Sequence, residues 1–109
     1  GNEVLKIVAQ YLQNAAEPGD LVARYGGEEF VLVLPNRDLA AATAIAEHLR
    51  LAIANHHWGA LQSGLQITIS FGVAVGPLTD PAELIAEADR RLYAAKAAGR
   101  NRVWAEEVV

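Results

Sequence analysis

The run Arg24-Tyr25-Gly26-Gly27-Glu28-Glu29-Phe30 constrains this chain more than any other stretch, because it joins the apolar segments Leu21-Val22-Ala23 and Val31-Leu32-Val33-Leu34 with room only for a tight turn. Two strand-like segments meeting at Gly-Gly predict a β-hairpin. A type I′ turn needs positive φ at both central positions, which glycine adopts without steric cost, so Gly26 and Gly27 are expected there. Glu28 and Glu29 then sit at the hairpin tip. Adjacent carboxylates beside residues without side chains form a hard, oxygen-rich corner, suited to Mg²⁺ and open to a phosphate. On these residues alone a solvated turn is the simpler reading, since Glu is mostly a surface residue.

The remaining pattern gives the hairpin something to pack against. Val4, Leu5, Val8 and Leu12 recur at helical spacing until Pro18-Gly19-Asp20 breaks the pattern. The hairpin pairs residues 21–25 with 29–34 and closes at Pro35. Asp38 is placed to cap a second helix whose buried face carries Leu39, Ala42, Ile45, Ala46, Leu49 and Ile53, flanked by His48 and Arg50. Residues 65–75 are apolar and rich in β-branched side chains, as a buried strand requires, and Pro77 with Asp80-Pro81 turns the chain out of it. Leu84, Ile85, Ala88, Leu92 and Ala95 line one face of a third helix. Gly99 is positioned to end that helix in the left-handed conformation, and Arg102-Val103-Trp104 can form a short edge strand. Helix, hairpin, helix, strand, helix, short strand is the order of an α+β sandwich with helices against one sheet.

Composition narrows the partners. With 109 residues and 52% hydrophobic content the chain can bury one modest core, and a net charge of −4 argues against a general nucleic-acid binder. Small molecules or protein are the expected partners. No apolar run approaches the roughly 18 residues of a membrane helix, no signal peptide is visible, and the absence of cysteine fits a cytoplasmic location. The chain has no methionine and opens on Gly1 already within a helical pattern, so it is expected to be a fragment of a longer product.

Four segments in order resemble the GGDEF family, the bacterial diguanylate cyclases: Gly1-Asn2-Glu3-Val4-Leu5, Arg24-Tyr25 with Gly26-Gly27-Glu28-Glu29-Phe30, Thr68-Ile69-Ser70-Phe71-Gly72-Val73-Ala74, and Ala88-Asp89 through Leu92-Tyr93-Ala94-Ala95-Lys96 to Gly99-Arg100-Asn101. Together they span nearly the whole chain. The resemblance implies a ferredoxin-like, nucleotide-cyclase-like sandwich with an antiparallel-rich sheet and the Gly-Gly-Glu-Glu-Phe signature at a hairpin tip. It also implies a first strand at the centre of the sheet, between residues 30–34 and 65–75. This chain has no sequence for that strand or the helix before it, so residues 1–109 are expected to be a partial domain. The slot is expected to be filled by upstream residues or by another chain.

The activity that the resemblance implies is condensation of two GTP molecules into cyclic di-GMP across a homodimer, with Mg²⁺ or Mn²⁺ as cofactor. Glu28 is then a metal ligand and a base for the attacking hydroxyl, and Glu29 a second metal ligand. Gly26 and Gly27 let the phosphates approach. Lys96 and Arg100 become phosphate ligands, their four-residue spacing placing both on one side of a helix end. A further metal-binding aspartate belongs to the absent strand, so the fragment itself is expected to be inactive. Asp89 and Tyr93 are expected to be structural, the tyrosine packed on the core, and Arg24 to face either the phosphates or a neighbouring acid. An input domain, sensory or receiver, is expected ahead of this module in the full protein.

Two positions depart from the family pattern. Asn2 stands where an aspartate usually recognises guanine; an amide offers one acceptor and a donor where a carboxylate accepts twice, so guanine binding should be weaker, and a helix cap is the competing role. The product-inhibition motif Arg-x-x-Asp reads Glu17-Pro18-Gly19-Asp20, and its second arginine aligns with His48, so that site is expected to be degenerate. Beside the cyclase stand two alternatives: a regulatory module that binds GTP or protein without turnover, and a scaffold that only dimerises.

Overall fold

The computed structural model describes residues 2–77 and 79–108, with the side chain of Asn2 outside the description. Helix α1 (Asn2–Ala15) leads into strands β1 (Leu21–Gly26) and β2 (Glu29–Val33), followed by α2 (Leu39–Ala54), a short 3-10 turn (Trp58–Ala60), β3 (Ser70–Ala74), α3 (Pro81–Ala97) and β4 (Val103–Trp104). The strands form one sheet in the order β1-β2-β3-β4. The α+β architecture is the one expected, and its sheet is mixed. β1 and β2 are antiparallel, whereas β2–β3 and β3–β4 run parallel. The parallel pairs follow from connectivity, since a helix between two strands carries the chain back to the end where it started.

From Phe30 onward strand β2 is apolar without interruption because both its faces are covered. Phe30, Leu32 and Leu34 point toward α1 and α2 and join Val8, Leu12, Ala42, Ala46, Leu49, Ile53, Phe71 and Val73. Val31 and Val33 point the other way and meet Leu84, Ala88 and Leu92 of α3. Helices therefore cover both faces of the sheet. Asp38 caps α2 as expected, its Oδ1 accepting from Ala41 N–H at 2.7 Å. Leu39, expected on the buried face, is 41% exposed, because the first residue after the cap overhangs the core. Trp58 anchors the turn after α2, its Nε1 donating to Ile53 O at 2.7 Å, and the neighbouring His56 Nδ1 lies 2.8 Å from Tyr11 Oη, which ties α1 to the same corner.

The expected gap between residues 30–34 and 65–75 is not present. β2 and β3 pair directly, from Glu29 opposite Ser70 to Val33 opposite Ala74, and the ladder extends through Ser70 N–H to Glu28 O (2.9 Å) and Leu34 N–H to Ala74 O (3.0 Å). The expected strand over 65–75 is correspondingly shorter. Beyond Ser70 the hairpin tip turns away, so residues 65–69 have no partner strand, although Ile67 and Ile69 still bury their side chains in the core.

Candidate active site

The hairpin forms as expected, with a different turn. Its central residues are Gly27 and Glu28, flanked by the paired Gly26 and Glu29. Neither Gly26 nor Gly27 takes a positive φ, so this is not the type I′ turn. A register shift between Arg24 and Gly26 leaves Tyr25 as a bulge, which supplies the twist that a primed turn would otherwise provide. Glycine has another use here. A Cβ on Gly27 would meet no protein atom within 4 Å, so the backbone at the tip is bare and faces open space.

The two acids part company at this tip. Glu28 is exposed and lines a cleft of about 650 Å³ with Arg24 and Gly27, the first turn of α1 (Glu3, Val4, Leu5) and the loop residues Leu61, Gln62, Leu65 and Ile67. Glu29 begins the paired strand and is half-buried on the α3 side, where its Oε1 lies 3.2 Å from Lys96 Nζ, beside Tyr25, Asp89 and Tyr93. The carboxylates thus do not form the side-by-side pair expected of two metal ligands. Tyr93, expected on the core, is 72% exposed. Glu3, which sequence reasoning passed over, adds a second carboxylate to the Glu28 cleft. The sequence marks the α1 segment containing it by its resemblance to the family's helix start and by Asn2, whose side chain lies outside the described residues.

Arg100 is not on the helix with Lys96. α3 ends at Ala97, Arg100 N–H donates to Ala95 O (3.0 Å), and Gly99 N–H donates to Lys96 O (3.2 Å), the paired bonds of a Schellman stop. Gly99 has φ +122° as expected, and Arg100 (+61°) and Asn101 (+48°) continue in the left-handed region. The helical-spacing argument for Lys96 and Arg100 therefore fails. Among the described residues the Arg100 side chain makes no hydrogen bond or ion pair, and it is exposed.

This arrangement of bare tip, exposed acid and cationic helix end lies within residues 1–102, which match the family described as "Diguanylate cyclase, GGDEF domain". The chain belongs to the GGDEF family. It is 43% identical over 106 residues to diguanylate cyclase DgcM of Escherichia coli K12 and 40% identical over 107 residues to the response regulator PleD of Caulobacter vibrioides, alignments covering 96% and 94% of this chain but 25% and 24% of those proteins. The chain thus spans about a quarter of these relatives. Its fold superposes on the GGDEF domain of DgcB from Caulobacter crescentus in complex with c-di-GMP (TM-score 0.74, 30% identity, covering 94% of this chain and 62% of that one). It also superposes on the active GGEEF domain of a diguanylate cyclase from Vibrio cholerae (TM-score 0.73, 31% identity, covering 97% and 69%).

In this GGDEF domain the segment Glu17-Pro18-Gly19-Asp20 is occupied with its own structure. Asp20 Oδ2 accepts from Arg37 Nη1 at 2.7 Å and from Glu17 N–H at 2.9 Å, and its side chain is 2% exposed. Arg37 also reaches Glu17 at 3.2 Å. Burial pulls the Arg37 pKa down, but the hydrogen bonds to Asp20 and Glu17 outweigh it and hold the guanidinium above its ordinary value. His48 is exposed on α2 and shares no hydrogen bond or ion pair with these groups among the described residues. Asp20→Ala leaves Arg37 with Glu17 alone and the Glu17 N–H without its acceptor, so it should cost about 2 kcal/mol in urea unfolding. A loss below about 1 kcal/mol would mean that the pair is solvated in solution.

No helix among the described residues is long and apolar enough to cross a membrane.

Proposed function

We propose that residues 1–109 are part of a diguanylate cyclase domain, in which two GTP molecules are condensed to cyclic di-GMP across a homodimer. The observation that carries this reading is the hairpin tip, where Gly27 leaves backbone open to a ligand and the Glu28 carboxylate faces a cleft without a protein partner. In the reaction the 3′-hydroxyl of one GTP attacks the α-phosphorus of the other, a P–O bond forms, and pyrophosphate leaves with the electron pair. Each domain would hold one GTP, Glu28 taking the proton from the hydroxyl while Arg100 holds the phosphates. The names of the relatives, and the solved domains to which this chain is similar, support the family-level activity.

A divalent ion fits the donor set. Mg²⁺ is commonly held by one or two carboxylates with waters and substrate phosphates, which matches the free Glu28 carboxylate with Glu3 in the same cleft. The ion would offset charge on the triphosphate and on the oxygens of the displacement. Glu29 could join only by releasing Lys96. On this reading the isolated chain binds GTP, while turnover, which needs two GTP-loaded domains facing each other, is expected of the parent protein. The remainder of the domain, and an input domain, would belong to the parent protein, in keeping with the share of the solved domains that this chain covers.

The test is GTP turnover with Mg²⁺ by the parent protein, following pyrophosphate and cyclic di-GMP. Accumulation of both supports the cyclase. Binding without product transfers the case to a regulatory module, a reading favoured by one observation: Glu29 and Lys96 are bonded to each other and not left free for metal and phosphate.

Guanine recognition is assigned to Asn2. Asn2→Asp restores a double acceptor for the base and should tighten GTP binding about tenfold by calorimetry. Unchanged affinity would remove Asn2 from guanine recognition.

A further inference from the structure

Ser70, Asn101 and Arg50 stand outside the site as described, yet they join its two halves. Ser70 opens β3 opposite Glu29, is 2% exposed, and its N–H donates to Glu28 O at 2.9 Å. Its Oγ accepts from Asn101 N–H at 3.0 Å. One buried serine thus holds the acidic tip through its backbone and the cationic corner through its hydroxyl. From the other side, Arg50 Nη1 on α2 donates to Asn101 Oδ1 at 2.8 Å and lies 3.4 Å from Asn101 O. Arg50 is in turn held by Glu47, whose carboxylate that bond keeps below its ordinary range.

The corner needs such support. Arg100 and Asn101 are consecutive non-glycine residues in the left-handed region, a conformation that persists only where surrounding contacts enforce it. Asparagine tolerates this backbone, and its side-chain oxygen supplies the acceptor that Arg50 uses. Nothing else among the described hydrogen bonds reaches the Asn101 side chain.

We propose that Ser70, Asn101 and Arg50 form a positioning unit that fixes Arg100, through the Asn101 backbone, at a set place relative to the Glu28 tip, and so sets affinity for the nucleotide's phosphates. The proposal rests on Arg100 being a phosphate ligand. Asn101→Gly keeps the left-handed backbone but removes the 2.8 Å side-chain tie to Arg50, leaving only the long 3.4 Å contact to the backbone oxygen, whereas Asn101→Asp keeps both backbone and side-chain tie.

The experiment measures GTP and guanosine binding to the 109-residue chain with Mg²⁺ by calorimetry. Arg100→Ala and Asn101→Gly should each weaken GTP about tenfold, the loss of one hydrogen bond to a charged group. Asn101→Asp should bind like the unchanged chain, guanosine affinity should not move, and Asn101→Gly should add nothing in an Arg100→Ala background. Arg50→Gln removes the same tie from the helix side and should reproduce Asn101→Gly should that variant fold poorly. If Arg100→Ala weakens GTP but Asn101→Gly and Arg50→Gln do not, the positioning role is overturned while the phosphate role stands. Equal losses for GTP and guanosine, or an undiminished effect in the Arg100→Ala background, also overturn it. Unchanged binding in Arg100→Ala, or no GTP binding at all, overturns both.

Discussion

Gly72→Ala is expected to lower the melting temperature of the chain by more than about 10 °C. Gly72 lies on the α3 face of β3, and a Cβ there would stand 2.0 Å from Ala88 O, 2.3 Å from Leu92 N and 2.8 Å from Leu92 Cα. All three atoms are helix backbone, so no side-chain rotation relieves the clash. α3 would have to lift from the sheet, exposing Leu84, Ala88 and Leu92, which with Val31, Val33 and Ala74 make up the second core. Overpacking of a flexible neighbour usually costs about 1–3 kcal/mol, and a rigid one more. A cost of about 4 kcal/mol would remove much of the roughly 5–15 kcal/mol available to a domain of this size. Thermal unfolding followed by circular dichroism decides the matter, and a melting temperature within a few degrees of the unchanged chain would refute this packing. Gly27→Ala is the internal control, since its Cβ meets nothing.

Gly72 also marks where the sequence is legible and where it is not. Its place in a strand could be read from the apolar, β-branched stretch around it, but the helix backbone against it is a contact across the fold that no local pattern carries. The same division runs through the molecule. Asp38 as a cap, Gly99 as a helix stop and the apolar stripe Leu84, Ala88, Leu92, Ala95 were readable because each depends on residues within a turn or two. The strand over 65–75 was read too long because strand content depends on a partner, and the partner ends at Glu29. In the site, the acidic tip was legible as a tip, whereas the separation of its acids was not. Glu29 starts a paired strand and Glu28 belongs to the turn, and Lys96, which captures Glu29, is 67 positions away in sequence. The bond between Asp20 and Arg37 was not legible for the same reason, Arg37 lying in a loop with no pattern of its own.

Glu28→Ala is expected to lower GTP turnover by the parent protein by at least about a hundredfold, with stability unchanged. The exposed carboxylate has no protein partner among the described residues, and its backbone oxygen, which accepts from Ser70 N–H, survives the substitution. No fold contact is lost. On the proposed reading, what disappears is negative charge where a metal and a reacting hydroxyl would be held, an interaction made fully only in the transition state, and the loss of one such group costs about 10²–10³ in kcat. Glu28→Gln should be nearly as impaired, because the amide keeps the shape but not the charge or basicity. Glu29→Ala provides the contrast. It frees Lys96, so phosphate affinity should rise or hold, and turnover should fall less than in Glu28→Ala. Pyrophosphate release across the three variants tests the division of labour. If Glu29→Ala is the more damaging, the ion pair with Lys96 opens during catalysis and both acids serve the metal, while turnover in Glu28→Ala within threefold of the unchanged protein would remove the hairpin tip from the chemistry.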